Sequence, residues 1–180
     1  MTTVTRQSNE TQITLSLRAG RGTAQVHTGE PFLDHMLVAF AKYAGIDTDV
    51  TATGDLRHHL IEDVAITLGQ AISAFAPAGC ARYGDRTIPM DDALVQVVLD
   101  LGGRPYYRGP LPSGMYDHFF RSFADNANAT IHVRVLRGTD RHHIIEAAFK
   151  ALGLALRDAL VESGAVFSTK GTVALTITNE

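Results

Sequence analysis

Two short segments of the chain, HHLIED at 58–63 and HHIIEA at 142–147, carry the same pattern. In each, two histidines stand side by side, the second three residues before a glutamate, and the copies lie 84 residues apart (142 − 58). Imidazole and carboxylate groups without thiolate suit Mn, Fe, Co, Ni or Zn. The repeated pattern therefore predicts a metal site in a protein built by duplication.

The duplication extends beyond the two histidine segments. Asp34-His35 aligns with Asp117-His118 at an offset of 83 (117 − 34), and Gly69 aligns with Gly153 at an offset of 84 (153 − 69). A one-residue insertion or deletion before each double histidine explains the change. Because two units of this length are too few and too long for a solenoid, they indicate a pseudo-symmetric pair.

Periodicity predicts the order ββαβα in both repeats. The first repeat, assigned residues 1–84, has predicted strands at 11–18, 22–28 and 46–53 and helices at 32–44 and 59–78. The second, assigned 85–180, has predicted strands at 90–101, 104–109 and 129–136, helices at 115–128 and 141–162, and a final strand at 172–178. The turn AGRG at 19–22 is predicted to join the first two strands as a hairpin. The class is α+β, one compact unit with helices packed on sheets.

Composition limits the choice of function. The net charge of −3 argues against nucleic-acid or membrane-surface partners, because no basic excess meets phosphate groups. The one cysteine, Cys80, excludes an intrachain disulfide framework and a thiolate metal cage, and fits a reducing cytoplasm. The N-terminal residues show no signal-peptide pattern, and the chain has no apolar run of about 18 residues to span a bilayer.

Adjacent residues of a helix point about 100° apart, so His58 and His59 are predicted to serve different ions. Two ions would then each receive one histidine from each repeat. His35 and His132 are the best further ligands, although the repeat places His118 and Asp49 at their equivalent positions. More than four mixed nitrogen and oxygen donors favour six-coordinate Mn²⁺ over tetrahedral structural zinc.

Six segments together resemble imidazoleglycerol-phosphate dehydratase, an enzyme family of histidine biosynthesis, in order and over nearly the whole chain. They are FLDHML (32–37), HHLIED (58–63), PMDDAL (89–94), LDLGGRPY (99–106), HHIIEAAFKAL (142–152) and STKG (168–171). The resemblance implies a duplicated α+β fold of the ribosomal-protein-S5-domain-2-like kind, with helices on four-stranded sheets. It also implies two Mn²⁺ per active site and active sites between the subunits of a homo-oligomeric 24-mer.

The resemblance also implies roles for single residues. The metal ligands would be His35, His58, His59, Glu62, His132, His142, His143 and Glu146. The substrate and its phosphate would meet Glu10, Arg82, Arg104, Ser168 and Lys170. The catalytic groups would come from Glu10, Glu62, Glu146, Asp91 and Lys150, with the acid and the base unassigned. His118 and His27 match no standard ligand. The chain departs from the family pattern at Leu60, where Thr is usual, and at Glu30-Pro31.

The implied reaction removes water from imidazole glycerol phosphate, giving imidazole acetol phosphate. The proton that leaves lies on a carbon without a neighbouring carbonyl, so a general base alone would fail. Metals that hold the substrate ring as imidazolate offer a way around this difficulty. Two alternatives stay open on the residues themselves: a dinuclear metallohydrolase of a phosphate ester, and a non-catalytic oligomer assembled by metal.

Overall fold

Each repeat folds into one four-stranded mixed sheet in the computed structural model, which describes residues 1–164. The first sheet contains β1 (Thr2–Gln7), β2 (Thr11–Ala19), β3 (Ala24–His27) and β4 (Ile46–Gly54), in the order β1-β2-β4-β3. The second contains β5 (Tyr83–Met90), β6 (Ala93–Asp100), β7 (Tyr106–Arg108) and β8 (Thr130–Arg137), in the equivalent order β5-β6-β8-β7. Ser168, Lys170 and the strand predicted at 172–178 lie outside the described residues.

Four helices of the described chain pack between the two sheets. They are α1 (Pro31–Ala44), α2 (Arg57–Phe75), α3 (Gly114–Asn126) and α4 (Arg141–Ala159). The pair α1 and α2 covers the first sheet and the pair α3 and α4 covers the second, while α1 contacts α4 and α2 contacts α3. One continuous apolar core runs through both repeats. The predicted α+β class is confirmed; the division of the chain at residue 84 stays a prediction.

The hairpin predicted between 11–18 and 22–28 is wrong. Strand β4 lies between them: it pairs antiparallel with β2 and parallel with β3. The reason is Asp47, whose Oδ1 accepts hydrogen bonds from the backbone N–H groups of Arg21, Gly22 and Thr23 at 2.9–3.1 Å. Through these bonds the AGRG turn is held against the first residues of β4. The chain therefore crosses from β2 on one side of β4 to β3 on the other side. The short strand predicted at 104–109 likewise pairs in parallel, as β7 with β8.

Two strands are absent from the sequence prediction. Residues Thr2–Gln7 form β1, and Tyr83–Met90 form β5, each the antiparallel partner of the next strand. The single strand predicted at 90–101 is therefore wrong at its start, where Asp91 and Asp92 form the turn between β5 and β6, with Asp91 at a φ of 46°. Both missed strands lie at sheet edges, where one face is partly exposed and the apolar alternation is weak.

The aligned glycines lie where helices from the two repeats cross closely. A Cβ atom on Gly69 would lie 2.7 Å from the carbonyl oxygen of Phe123, and one on Gly153 would lie 2.8 Å from that of Phe40. Those two phenylalanines are themselves equivalent, and their rings meet edge to face with centroids 6.4 Å apart. The residues that align between the two repeats therefore also pack in equivalent ways. Both helix crossings require glycine.

We expect Gly153→Ala to destabilise the fold, because the added methyl group meets the backbone of α1 and the helices must separate. Overpacking of this kind costs about 1–3 kcal/mol of the free energy of unfolding, measurable by urea denaturation. Gly114→Ala is the matched control, since a Cβ there meets nothing within 4 Å. Equal stability of the two variants would contradict the close crossing.

Candidate metal centre

The N-termini of all four helices meet at one end of the helical layer. Glu30, before α1, pairs with Arg57 at the start of α2, the Nε–Oε2 distance being 2.6 Å. The ring of Phe32 in α1 lies 5.2 Å from that of Tyr116 in α3 and 5.1 Å from that of His142 in α4, measured between centroids. Because both double histidines lie in first helical turns, this arrangement gathers them at one end of the molecule.

Three predicted ligands form a cluster between the repeats. His35 Nε2, from α1, lies 3.2 Å from Glu146 Oε2, and His142 Nε2 lies 3.0 Å from the same oxygen. His142 and Glu146 are four residues apart on α4 and therefore share a helix face. Within residues 1–164, these three are the one group of His, Cys, Asp and Glu whose ligand atoms all lie within 4.8 Å of one another.

The carboxylate of Glu146 is buried, with 8% of its side chain exposed, and its charge is compensated. Its Oε1 lies 2.8 Å from Lys150 Nζ, one helical turn further along α4. Burial would raise the pKa of Glu146, but hydrogen bonds from Lys150, His35 and His142 outweigh it and hold the pKa below its usual value. The cluster therefore presents an ionised carboxylate and two accessible imidazoles.

The equivalent contact exists in the other half of the molecule, through a histidine that the resemblance leaves out. His118 Nε2, from α3, lies 3.1 Å from Glu62 Oε1 on α2. The ring of His58 does not complete a three-residue group there; it stacks edge to face on His59, with centroids 4.1 Å apart. The signal for His118 was present in its alignment with His35.

The second histidine of each pair is held by a carboxylate through Nδ1. His59 Nδ1 lies 2.8 Å from Asp55 Oδ1, and His143 Nδ1 lies 2.8 Å from Asp92 Oδ1. These hydrogen bonds are the main reason why the pKa of each histidine is raised. They favour the tautomer with its proton on Nδ1 and so leave Nε2 able to act as a ligand, an arrangement common around metal-bound histidines.

Two predicted catalytic carboxylates lie in corresponding turns of the two repeats. Glu10 lies in the turn between β1 and β2, with its Oε2 3.7 Å from His59 Nδ1. Asp91 lies in the turn between β5 and β6, with its Oδ2 3.4 Å from His143 Nε2. Both side chains are largely exposed. Sequence alignment could not detect this equivalence, because the first strand of each repeat was not recognised.

His132 lies apart from the cluster of its own chain. On β8, its neighbours Ile131 and Val133 are buried against the helices, so His132 projects from the opposite, exposed face of the sheet. Its ring is 5.6 Å from that of Tyr106, measured between centroids. The geometry of one chain therefore does not bring His132 together with His35 and Glu146.

The two predicted phosphate-binding arginines differ in their surroundings. Arg82, at a φ of 75°, donates from Nε to Asp100 Oδ1 at 2.5 Å and from Nη2 to Oδ2 at 3.0 Å. Arg104 is exposed in the loop before β7, where its carbonyl oxygen accepts a hydrogen bond from Thr130 Oγ1. Their contact with a phosphate stays a prediction, as do the roles of Ser168 and Lys170.

Comparison with known proteins gives a consistent result. Residues 28–156 match the family model described as imidazoleglycerol-phosphate dehydratase. The dehydratase of Acetivibrio thermocellus is 46% identical, covering 93% of this chain and 96% of the relative, and that of Methanococcoides burtonii is 45% identical with the same coverage. The crystal structure of IGPD from Pyrococcus furiosus superimposes with a TM-score of 0.87 at 42% identity, covering 94% of this chain and 100% of that one.

The chain belongs to the imidazoleglycerol-phosphate dehydratase family.

Family membership confirms the predicted enzyme class, a hydro-lyase of histidine biosynthesis. A second solved relative, the Staphylococcus aureus enzyme, superimposes with a TM-score of 0.80 at 34% identity, covering 90% of this chain and 99% of that one. In the part of the chain that the structure describes, the helices are too short or too polar to cross a membrane.

The two departures from the family pattern occupy different environments. Leu60, on α2, is 6% exposed and belongs to the apolar core, so it does not face the cluster. Glu30 lies at the N-cap of α1 without a side-chain capping bond, and it holds Arg57 instead. Glu30-Pro31 thus connects the start of α1, which carries His35, to the start of α2.

We expect Lys150→Met to weaken the metal-free protein, because Glu146 would keep a buried carboxylate without its strongest partner. Loss of such a charge-assisted contact costs about 2 kcal/mol of the free energy of unfolding. Urea denaturation at neutral pH measures this loss, with Lys42→Met on the exposed end of α1 as the matched control. An unchanged midpoint relative to that control would contradict the role of Lys150.

Proposed function

We propose that the chain converts imidazole glycerol phosphate to imidazole acetol phosphate and water, using two Mn²⁺ ions in each active site. The single observation that carries the proposal is the His35–His142–Glu146 cluster. Because the chain belongs to a dehydratase family, we assign this cluster to a dehydration reaction. The storage alternative gives no purpose to Glu10 and Asp91 beside the double histidines.

The donor set fits a six-coordinate divalent cation. Ligand atoms bound at about 2.0–2.2 Å and at right angles around an ion lie about 3 Å apart. The two imidazole nitrogens of the cluster lie 3.2 and 3.0 Å from Glu146 Oε2. Two nitrogen donors and one oxygen donor without thiolate are compatible with Mn²⁺. Bound there, the ion would act as a Lewis acid toward the substrate ring and favour its imidazolate form.

The surroundings of the carboxylates suggest a division of labour. Glu146 is buried and engaged by Lys150, His35 and His142, so its oxygens suit a ligand better than a proton carrier. Glu10 is 55% exposed beside His59, and its carboxylate is free to reach a bound substrate. We therefore assign proton transfer at the substrate carbon to Glu10 and metal binding to Glu146.

The phosphate of the substrate requires cationic donors. The backbone N–H of Arg82 donates to the carbonyl oxygen of Ala159 at the C-terminal end of α4, whereas the cluster lies at the N-terminal end, so in a shared active site Arg82 would come from a neighbouring chain. A guanidinium group offers a planar pair of donors for phosphate oxygens. Arg104 is exposed, whereas Arg82 is oriented by its two hydrogen bonds to Asp100. We propose that both bind the phosphate, together with Ser168 and Lys170.

The exposed face of the second sheet supports a shared active site. His132 is surrounded there by exposed apolar side chains, those of Val98, Tyr106 and Leu136, which are 39–49% exposed. Val98 pairs directly with His132 across β6 and β8. Such a patch marks a protein interface. We propose that a neighbouring chain covers it and receives His132 as a ligand, within the 24-mer that the family resemblance implies.

We expect the Mn²⁺-loaded chain to form an enolisable ketone from imidazole glycerol phosphate, since the proposed site removes water and leaves the phosphate ester intact. Glu10→Gln should lower kcat by about 100-fold or more, the usual contribution of a positioned general base. His27→Ala, on the exposed strand β3, is the control. Release of inorganic phosphate would instead indicate the hydrolase, and metal binding without turnover would indicate the storage protein.

A mixing experiment tests whether active sites are shared. His35→Ala and His132→Ala should each be inactive, but chains dissociated and reassembled as an equal mixture should recover about a quarter of wild-type activity. A quarter of the sites would combine an intact His35 from one chain with an intact His132 from another. Complete inactivity of mixed assemblies, verified by mass, would contradict the shared site.

A further inference from the structure

We infer that Asp63 is a positioning residue for the dehydration, because it holds the turn between β1 and β2 that carries Glu10. The inference rests on the proposed role of Glu10 in proton transfer and adds a residue that acts through it. Asp63 directly follows Glu62 on α2, but its carboxylate contacts the first sheet. Arg6 Nη2, on β1, lies 2.9 Å from Asp63 Oδ1, and Thr11 Oγ1, on β2, donates to Oδ2 at 2.5 Å.

The carboxylate of Asp63 is buried, with 11% of its side chain exposed, and lies among the buried residues of α2. An ionised carboxylate in such a place is unfavourable unless charged or hydrogen-bonding groups compensate it. Both of its oxygens are compensated, one by Arg6 and the other by Thr11. Because Arg6 precedes the turn and Thr11 follows it, the buried charge holds the turn from both of its strands.

A chain of hydrogen bonds connects Asp63 to the backbone of Glu10. An ionised carboxylate only accepts, so the hydroxyl group of Thr11 donates its single proton to Asp63. Ser8 Oγ lies 3.2 Å from Thr11 Oγ1 and therefore donates to it. The same Ser8 oxygen accepts the backbone N–H groups of Glu10 and Thr11, each at 3.1 Å. The charge of Asp63 thus fixes the direction of every hydrogen bond in this chain.

The carbonyl oxygen of Glu10 is held as well. It accepts a hydrogen bond from the backbone N–H of Asp55 at 3.0 Å, and Asp55 Oδ1 in turn lies 2.8 Å from His59 Nδ1. Both backbone groups of Glu10 are therefore fixed, whereas its carboxylate is 55% exposed beside His59. A fixed backbone under an exposed carboxylate suits a group that transfers a proton at a defined substrate atom.

The corresponding turn of the second repeat is held differently. The residue equivalent to Asp63 is Ala147, 84 positions later (147 − 63), so α4 offers no carboxylate there. Instead, Asp92 accepts hydrogen bonds from the backbone N–H groups of Thr139 and Asp140, in the loop before α4. Of the two equivalent turns, the one tied to a buried carboxylate of a helix is therefore the one to which we assign proton transfer.

Thr11→Val removes the hydroxyl group and leaves the ion pair of Asp63 with Arg6 in place. We expect it to lower kcat for the dehydration of imidazole glycerol phosphate by about 10- to 100-fold, since a displacement of about 1 Å costs up to about 100-fold. KM and the affinity for Mn²⁺ should not change, because the predicted phosphate-binding and metal-binding residues are intact. Thr11→Ser keeps the hydroxyl group and should restore kcat. Thr14→Val, at an exposed position of β2, is the matched control.

A double variant tests whether Asp63 acts through Glu10. Asp63→Asn presents an N–H group to Arg6 or to Thr11 and should lower kcat as Thr11→Val does. Added to Glu10→Gln, it should cause little further loss, because two residues that act through one group are not additive. If Asp63→Asn does not fold, Thr11→Val in the Glu10→Gln background makes the same test.

The outcomes separate the inference from the proposed function. Absence of dehydration by the wild type would overturn both. Full activity of Glu10→Gln would overturn the role of Glu10, and with it the inference, while the dehydratase activity would stand. If Glu10→Gln is slow, three results would overturn the role of Asp63 alone: an unchanged kcat in Thr11→Val, no recovery in Thr11→Ser, or a full additional loss in the double variant. A fall in Mn²⁺ affinity that accounts for the lower kcat would do the same.

Discussion

The close crossing of α1 with α4 decides where the predicted metal-binding side chains meet. The two helices run in the same direction, since His35 lies near Glu146 at one end and Phe40 lies against Gly153 further along. A side chain at position 153 would separate them and move His35 away from the carboxylate. Because the cluster takes one ligand from the first repeat and two from the second, neither repeat could form it alone.

An equivalent crossing occurs between α2 and α3. The two halves differ, however, in how the charge of the glutamate beside each crossing is compensated. Burial of an ionised carboxylate is costly unless it is paired. Glu146 is buried and pairs with Lys150, whereas Glu62 is partly exposed and the position equivalent to Lys150 is Ile66. The duplication thus preserved the geometry of the two histidine–glutamate contacts while their electrostatics diverged.

Much of the fold was predictable from periodicity and self-similarity. The apolar spacing located the four helices found within residues 1–164, and the offset of 83–84 residues located the repeat. The errors concern strand pairing, because alternation shows that a segment is extended but does not identify its neighbour. They also include the unpredicted edge strands β1 and β5. Asp47 binds three backbone N–H groups of the preceding turn and so places β4 between β2 and β3. That contact joins residues more than 20 positions apart, beyond any local signal.

The sequence by itself determined the candidate ligand types, their helical spacing and the family, since these depend on residue identity and on the periods of the helix. Only the tertiary structure decided which ligands meet. It brought His35 to His142 and Glu146, and His118 to Glu62, and it placed His132 on the opposite face of a sheet. These outcomes depend on the packing of helices from different repeats and on the side of the sheet that the core covers, which the order of residues along one segment does not specify.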